Sequence, residues 1–294
     1  NNSNSYNTAV GHKSLHVITT GQFNQAFGYQ SGEDLTTGGH NALYGADAGA
    51  SLTTASQSVY IGSQAGTTPT TGNANIGIGY DAMSGGTTTG NHNIAIGFSA
   101  GDALTSGYDN IFLGRDAGGA TTAGFNLVSI GINAGASNIT TDGYGQVLVG
   151  GHAGAALTSG VGNVAIGYAA LDAEAPGDYS TAVGTDALTS QTGIDGNVGN
   201  TALGYHAGQQ VTSGRFSTFL GAFSGDEHQT GNHVTAVGYG SLGAQNLDRT
   251  GTTAIGSLAL HQNVSAATTD YSVAVGAEAG TNQTSGYQNT FLGG

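Results

Sequence analysis

The sequence predicts an all-β fold, a parallel β-solenoid of about 17 coils with 17–20 residues each. Two observations predict it: a short motif that returns along the whole chain, and a composition suited to stacked, nearly identical units. The 294 residues include 54 Gly, 37% hydrophobic residues and only 7% charged residues. Pro occurs twice and Gly has no three-residue period, so the composition indicates neither collagen nor a charged, disordered chain.

The recurring motif is a pentapeptide that begins with Asn in its clearest copies and closes on Gly. It reads N-T-A-V-G at residues 7–11 and N-V-A-I-G at residues 163–167. Positions are numbered here from the closing Gly, so that −1 is the residue before it and +1 the residue after it. No domain boundary interrupts the copies, and we expect one repeat domain over residues 1–294, a fragment of a longer fibrous protein. The closing Gly returns seventeen times, most often after 17 residues, as the turn glycines Gly11, Gly28, Gly45, Gly62, Gly79, Gly97, Gly114, Gly131, Gly150, Gly167, Gly184, Gly204, Gly221, Gly238, Gly256, Gly276 and Gly293.

The residues before the closing Gly predict one short β-strand per coil. Position −1 is apolar in all seventeen copies, and position −3 is β-branched in fifteen, with Gln25 and Ala42 as the exceptions. Such residues favour a pleated ladder, and Gly permits the positive φ of a tight corner. Position +3 is always Ala or Ser, and position +4 is always Gly, Leu or Met. A second Gly at position −7, usually after Thr or Ser, predicts the opposite turn.

Alternation along this strand predicts two apolar faces. Positions −1 and −3 share one side, which we expect to fill the solenoid. Position −2 points to the other side and is also apolar or small, so that side needs a partner unless its small residues are merely tolerated at a surface. We therefore expect identical chains to associate around an axis through position −2. The larger residues of this predicted oligomer interface are Leu43, Tyr60, Phe112, Leu148, Phe219 and Phe291.

The motif copies carry a resemblance to known families. N-V-A-I-G and N-I-A-I-G resemble the head repeat of trimeric autotransporter adhesins (YadA-like heads), and the longer form T-T-G-x-x-N-T-A-x-G-Y-x-A is similar to repeats of phage tail fibres. Residues 82–98 and 200–221 match best, and the resemblance covers essentially the whole chain. It implies a homotrimeric left-handed β-roll outside the cell, on a virion fibre or a bacterial surface. Adhesin heads use a shorter coil of about 14 residues, which leaves coil shape and handedness open.

Charge and composition exclude several partners. Four Lys and Arg against 18 Asp and Glu give a formal net charge of −14, so no cationic surface is available for nucleic acid or an anionic membrane. The chain has no Cys, which removes disulfides and thiolate sites. No apolar run approaches about 18 residues, so we expect no membrane insertion of this segment.

Signatures of catalysis and metal binding arise from the repeat itself. Residues 97–101 spell G-x-S-x-G and residues 77–82 imitate a dinucleotide fingerprint, but both lie in register with their neighbouring copies. Nine His residues are scattered without an H-x-H pair. We therefore expect no enzyme, no catalytic residue, no metal and no cofactor. Four aspartates share position +2 without ever occupying adjacent coils, and we interpret them as solvated rather than as Ca²⁺ ligands: Asp47, Asp81, Asp116 and Asp186.

Two other functions of β-solenoids stay open. Thr pairs such as Thr19-Thr20 and Thr36-Thr37 allow ice or surface binding, although ice-binding faces usually carry T-x-T on one side of a flat strand. A coil near 18 residues allows a left-handed β-helix acyltransferase, although that fold would place an aliphatic residue at every sixth position. Only one strong aliphatic column is present here, with a partial second one at residues such as Leu35 and Leu104.

The expected function is a non-catalytic structural and adhesive rod of a phage tail fibre or bacterial surface adhesin. It would space a tip and contact a host-surface glycan or protein receptor. Longer coils predict loops at one edge that meet this receptor, at about residues 84–90, 136–142, 189–199, 243–251 and 261–271. Tyr follows the closing Gly in five copies and would stack on sugars if exposed: Tyr29, Tyr80, Tyr168, Tyr205 and Tyr239.

Overall fold

The computed structural model describes residues 5–68, 71–141, 143–173, 177–192, 196–243, 250–261, 271–282 and 288–293. Over these residues the chain is all-β, which confirms the predicted fold class, and no helix is long and apolar enough to span a bilayer. The chain divides into two compact units, residues 1–146 and 147–294. Each unit is a parallel β-solenoid. The sequence repeat continues through this boundary, so a single repeat domain stays a prediction.

The first unit stacks eight three-residue strands in chain order. Each strand pairs in parallel with the next, and equivalent positions of the repeat lie opposite one another, as Ala9 does to Ala26. Seven full turns of the solenoid result. The strands are β1 Thr8–Val10, β2 Gln25–Phe27, β3 Ala42–Tyr44, β4 Val59–Ile61, β5 Ile76–Ile78, β6 Ile94–Ile96, β7 Ile111–Leu113 and β8 Val128–Ile130.

The second unit continues the same pattern over eight further turns. Its main ladder is parallel and in register. It consists of β9 Val147–Val149, β10 Val164–Ile166, β12 Thr181–Val183, β14 Thr201–Leu203, β15 Thr218–Leu220, β16 Thr235–Val237, β17 Thr253–Ile255, β18 Val273–Val275 and β19 Thr290–Leu292. A separate two-residue ladder pairs β11 Gly177–Asp178 with β13 Gly196–Asn197. These two strands lie at and beside position −7, where the sequence predicts the turn opposite the main strand.

Each coil bends at backbone positions with positive φ. Positions −5, +2 and +4 have φ between 44° and 67° in every described copy, whether the residue is Gly or not. The closing Gly differs, because its φ lies between 99° and 146°, a range that L-residues avoid. At Gly114 an added Cβ would also lie 2.6 Å from the carbonyl oxygen of Gly131 in the next coil. Gly at this corner is therefore required by both conformation and close stacking.

The two faces of the strand are the reverse of the sequence-based expectation. Position −2 points into the coil, and its large members Leu43, Tyr60, Phe112, Leu148 and Phe219 are completely buried within their own chain. The predicted oligomer interface on these residues is therefore wrong. Phe291 belongs to the same column and is half-buried in the last strand. Positions −1 and −3 point outward instead of filling the core.

The core of each coil is filled by the side chains of positions −2 and +4, which compete for the same space. Phe112 packs over Gly118 and Tyr60 over Gly66, where an added Cβ would collide with the ring. Every Leu, Tyr or Phe at position −2 of a complete coil is accompanied by Gly at +4, whereas Leu or Met at +4 accompanies only Ala or Gly at −2. Alternating large and small residues in this way fills the interior of the coil closely.

Position −4 adds a buried ladder of side-chain amides. Asn93 Oδ1 accepts a hydrogen bond of 3.0 Å from Asn110 Nδ2, and Asn93 Nδ2 donates to the carbonyl of Gly107 at 2.9 Å. Asn41 donates to Asn24 in the same way, at 3.0 Å. Because their polar atoms are satisfied, these buried amides stabilise the coil by tying strand to turn across successive coils.

Candidate functional site

The outward side chains of the strands form an exposed apolar surface on each unit, called the outer face here and defined as positions −3 and −1. On the first unit Ile61 and Ile96 are 40% and 37% exposed, and on the second unit Leu203 is 48% exposed. Neither position carries a charged residue in any copy. A contiguous apolar surface of this kind marks a site of interaction in soluble proteins.

The two units differ in the chemistry of position −3. From β4 to β8 of the first unit this position is always Val or Ile. In the second unit a column of threonines lies in register on five consecutive strands: Thr181, Thr201, Thr218, Thr235 and Thr253. Each of these strands still presents Val, Leu or Ile at position −1. The sequence-based prediction concerned only adjacent Thr pairs, such as Thr19-Thr20 and Thr36-Thr37, and these lie at bends and not on strands. It therefore missed the column of single threonines at position −3.

The five tyrosines at position +1 are between 47% and 59% exposed. The sequence-based prediction was that they would stack on sugars only if they were exposed. Three of them have aromatic neighbours within their own unit. Tyr29 stacks on His12 and Tyr80 on Phe98, each with ring centroids 5.5 Å apart, whereas the His152 ring meets Tyr168 edge-on. Ligand binding by these tyrosines stays a prediction.

The other two tyrosines belong to an aromatic cluster of the second unit. The Phe223 ring lies 5.2 Å from Tyr205 and 5.8 Å from Tyr239, nearly perpendicular to both. His206 stacks on Tyr205 at 3.9 Å, and its Nε2 lies 3.3 Å from an Asp186 carboxylate oxygen. Two exposed tyrosines, a phenylalanine and a contact between histidine and aspartate are thus brought to one edge of four successive coils.

Beside this cluster an open cleft of about 220 Å³ is lined by Phe223, Asp226, Tyr239, Gly240, Leu258 and His261. His261 Nδ1 donates a hydrogen bond of 2.8 Å to the Gly240 carbonyl, so that Nε2 is the ring nitrogen that accepts when the imidazole is neutral. Asp226 Oδ1 is buried and has no hydrogen-bond partner. Burial, and then repulsion from Glu227, raise the pKa of the Asp226 carboxyl.

The cleft follows from the repeat, although the sequence-based prediction did not include it. Asp226, Gly243 and His261 all occupy position +5, in three consecutive coils. An added Cβ on Gly243 would lie 3.3 Å from Asp226 Oδ1 and would collide with the His261 ring, so the absence of a side chain there keeps the cleft open. Comparison of position +5 between coils would have placed these residues together.

The remaining predicted features lie on separate corners of the coils. Asp47, Asp81, Asp116 and Asp186 all occupy the left-handed corner at position +2. Searched for groups of three His, Asp or Glu, the described residues contain none that could hold a metal ion. Parts of the predicted receptor loops, namely residues 142, 193–195, 244–249 and 262–270, lie outside the described residues.

No family model, no curated protein and no solved structure matches this chain. The resemblance to adhesin heads and tail fibres therefore stays a prediction carried by the motif copies alone.

Proposed function

We propose that this chain is a non-catalytic structural and adhesive β-solenoid, a segment of a phage tail fibre or bacterial surface adhesin outside the cell. Identical chains associate as a homotrimer through their outer faces, and an edge of the coils contacts a host-surface glycan or protein. The observation that carries this proposal is the exposed, uncharged outer face on each unit. Association through position −2, expected from the sequence, is replaced here by association through positions −1 and −3.

The energetic case depends on how many rows the outer face repeats. Burying a Val, Leu or Ile side chain completely stabilises by about 1.5–3 kcal/mol. Ile61, Ile96 and Leu203 are roughly half-exposed, so each gains only part of that amount when it is covered. Since each strand that ends at a closing Gly contributes an apolar residue at position −1, the gain accumulates over many rows.

A second copy of the chain fits this surface better than an unrelated protein would. Parallel strands lie about 4.8 Å apart, so the outer face repeats its apolar pair at that interval. A partner must present rows at the same interval to cover all of them. Another copy of the chain does so because it has the same repeat and the same spacing of strands. Closed rotational symmetry then covers each face and ends the assembly.

Support for a non-catalytic role comes from the one nucleophile motif. Ser99 of the G-x-S-x-G sequence occupies position +2 with φ 49°, the same corner that Asp81 and Asp116 occupy in the neighbouring coils. A serine placed by the general bend of the coil has no feature that distinguishes it from its counterparts. Acyl transfer gains no support either, since the main ladder takes one strand from each described coil.

Sedimentation equilibrium tests the proposal. We expect the chain to be a trimer and Ile96→Lys to weaken association at least tenfold, because each copy would place an ammonium group in the apolar contact. Ile132→Lys is the matched control, since Ile132 is 48% exposed at position +1, outside the outer face. A monomeric parent chain, or equal loss of association in both variants, would overturn the proposal.

A second candidate function is binding to ice or another regular surface, favoured by the Thr column of the second unit. Regularly spaced hydroxyl and methyl groups on a flat ladder could match an ordered lattice. This function requires the outer face to stay uncovered, so it and trimer formation exclude each other on that unit. A monomer that shows thermal hysteresis, lost in Thr218→Lys, would favour this alternative.

A further inference from the structure

We infer that the cleft between Phe223, Tyr239, Asp226 and His261 in the second unit binds a single hydroxylated ring, that is, one unit of a saccharide. The inference rests on the proposed adhesive function and names a ligand class and a place for it. It concerns the edge of the coils and not the outer face. Contact with glycan and association of chains can therefore be tested separately.

The polar groups of the cleft call for a ligand that donates hydrogen bonds. Asp226 Oδ1 is buried without a hydrogen-bond partner, so a ligand that donates a hydrogen bond to it would satisfy an acceptor that the protein leaves open. His261 offers Nε2 as a second acceptor, because its Nδ1–H is held by the Gly240 carbonyl. A sugar presents neighbouring hydroxyl groups, and two of them could donate to these two acceptors.

The apolar groups of the cleft suit the other side of such a ligand. Phe223 and Tyr239 meet at an interplanar angle of 79° and form a corner. Tyr239 is 58% exposed, so its ring can receive the C–H face of a sugar while its hydroxyl remains in water. Leu258 completes the apolar lining. The combination of aromatic wall and polar acceptors matches a ring that is apolar on its face and hydroxylated at its rim.

The size of the cleft suits a ligand of one ring. The cleft has a volume of about 220 Å³ and opens to solvent. One monosaccharide unit fits this space, whereas a folded peptide segment does not. Tyr205 on the far side of Phe223 lies where the next unit of a longer glycan would extend along the edge.

An organic ammonium ion is the competing ligand, because a carboxylate beside aromatic rings also attracts cations. A saccharide fits better for two reasons. The His261 ring beside the carboxylate gives hydroxyl groups a second polar partner, and the corner between Phe223 and Tyr239 suits the face of a ring. Ammonium binding is therefore an outcome that the experiment must be able to detect.

The experiment measures binding of neutral monosaccharides to the whole chain by saturation-transfer NMR and titration calorimetry, with choline as the cationic probe. We expect at least one hexose or N-acetylhexosamine to bind, and Tyr239→Ala and Asp226→Asn each to weaken binding at least tenfold. Tyr179→Ala should bind as the parent does, because Tyr179 is 56% exposed on the same unit but lies at position −5, outside the lining of the cleft.

Three outcomes would overturn the inference: no saccharide binds, choline binds instead, or Tyr179→Ala weakens binding as much as Tyr239→Ala. Sedimentation of the same variants keeps the two proposals apart. Sugar binding by a monomeric chain would support the cleft and contradict the proposed assembly. A trimer that binds no sugar would support the proposed assembly and contradict the inference on the cleft.

Discussion

Backbone conformation at the corners decides which residues each coil accepts. Positions +2 and −5 adopt the left-handed helical region, which Asp, Asn and His tolerate best. Asp47, His92 and Asn126 follow that preference, but Leu258 and Phe216 adopt the same φ. Stacking on neighbouring coils therefore holds these corners even where the residue is unfavourable. The closing Gly is different, because no other residue can adopt its φ or fit beneath the next coil.

Replacement of single glycines should separate these two kinds of corner. Gly114→Ala should lower the free energy of unfolding by about 3 kcal/mol or more, since it adds backbone strain to a Cβ placed 2.6 Å from the Gly131 carbonyl oxygen. Gly145→Ala should cost only about 1–2 kcal/mol, because Gly145 has φ 66° and nothing within 4 Å of the added atom. Urea unfolding measures both, and equal costs would contradict the role assigned to the closing Gly.

At the scale of the strand, the sequence predicted the element correctly and its orientation wrongly. Apolar residues at position −1 and β-branched residues at position −3 suggested a core, because apolar side chains are usually buried. The coil instead buries positions −4 and −2, so that Asn93 and Phe112, for example, point inward together. The signal that could have corrected this was the exchange of size between positions −2 and +4, visible in the pairs Phe112/Gly118 and Ala165/Leu171.

That exchange can be tested within one coil by a double-mutant cycle. Phe112→Ala should destabilise by about 3–5 kcal/mol by leaving a cavity, and Gly118→Leu alone should destabilise by forcing a side chain into the Phe112 ring. Together they reproduce the natural pair Ala165/Leu171. We expect the double variant to be more stable than the sum of the single changes by about 1–3 kcal/mol.

Thermal unfolding of the four proteins provides the measurement for this cycle. A matched control combines Phe112→Ala with Gly145→Ala, because Gly145 lies away from the Phe112 ring and has open space around it. The effects of that pair should simply add. Additivity in the Phe112/Gly118 pair as well would show that the two positions do not share one volume.

At the scale of the whole molecule, periodicity predicts what lies next to what, but not what covers the surface. The common position of Asp226, Gly243 and His261 is readable from the repeat, and so is the exposed Thr column. The unpaired state of Asp226 Oδ1 and the corner between Phe223 and Tyr239 depend on side-chain directions that spacing does not encode. What covers the outer face depends on a second chain. A single sequence describes that chain only if it is another copy of the same protein.

Net charge gives the last prediction, on the response of the assembly to salt. Each chain carries a formal charge of −14, so identical chains repel one another, while their outer faces contribute no charged residue. Raising the salt concentration from about 0.01 M to about 1 M shortens the screening length from about 30 Å to about 3 Å. We therefore expect the dissociation constant of the trimer to fall at least tenfold in sedimentation equilibrium. Ile96→Lys should associate at least tenfold more weakly than the parent chain at both salt concentrations. Weaker association of the parent chain at high salt would mean that ion pairs, and not the apolar face, hold the chains together.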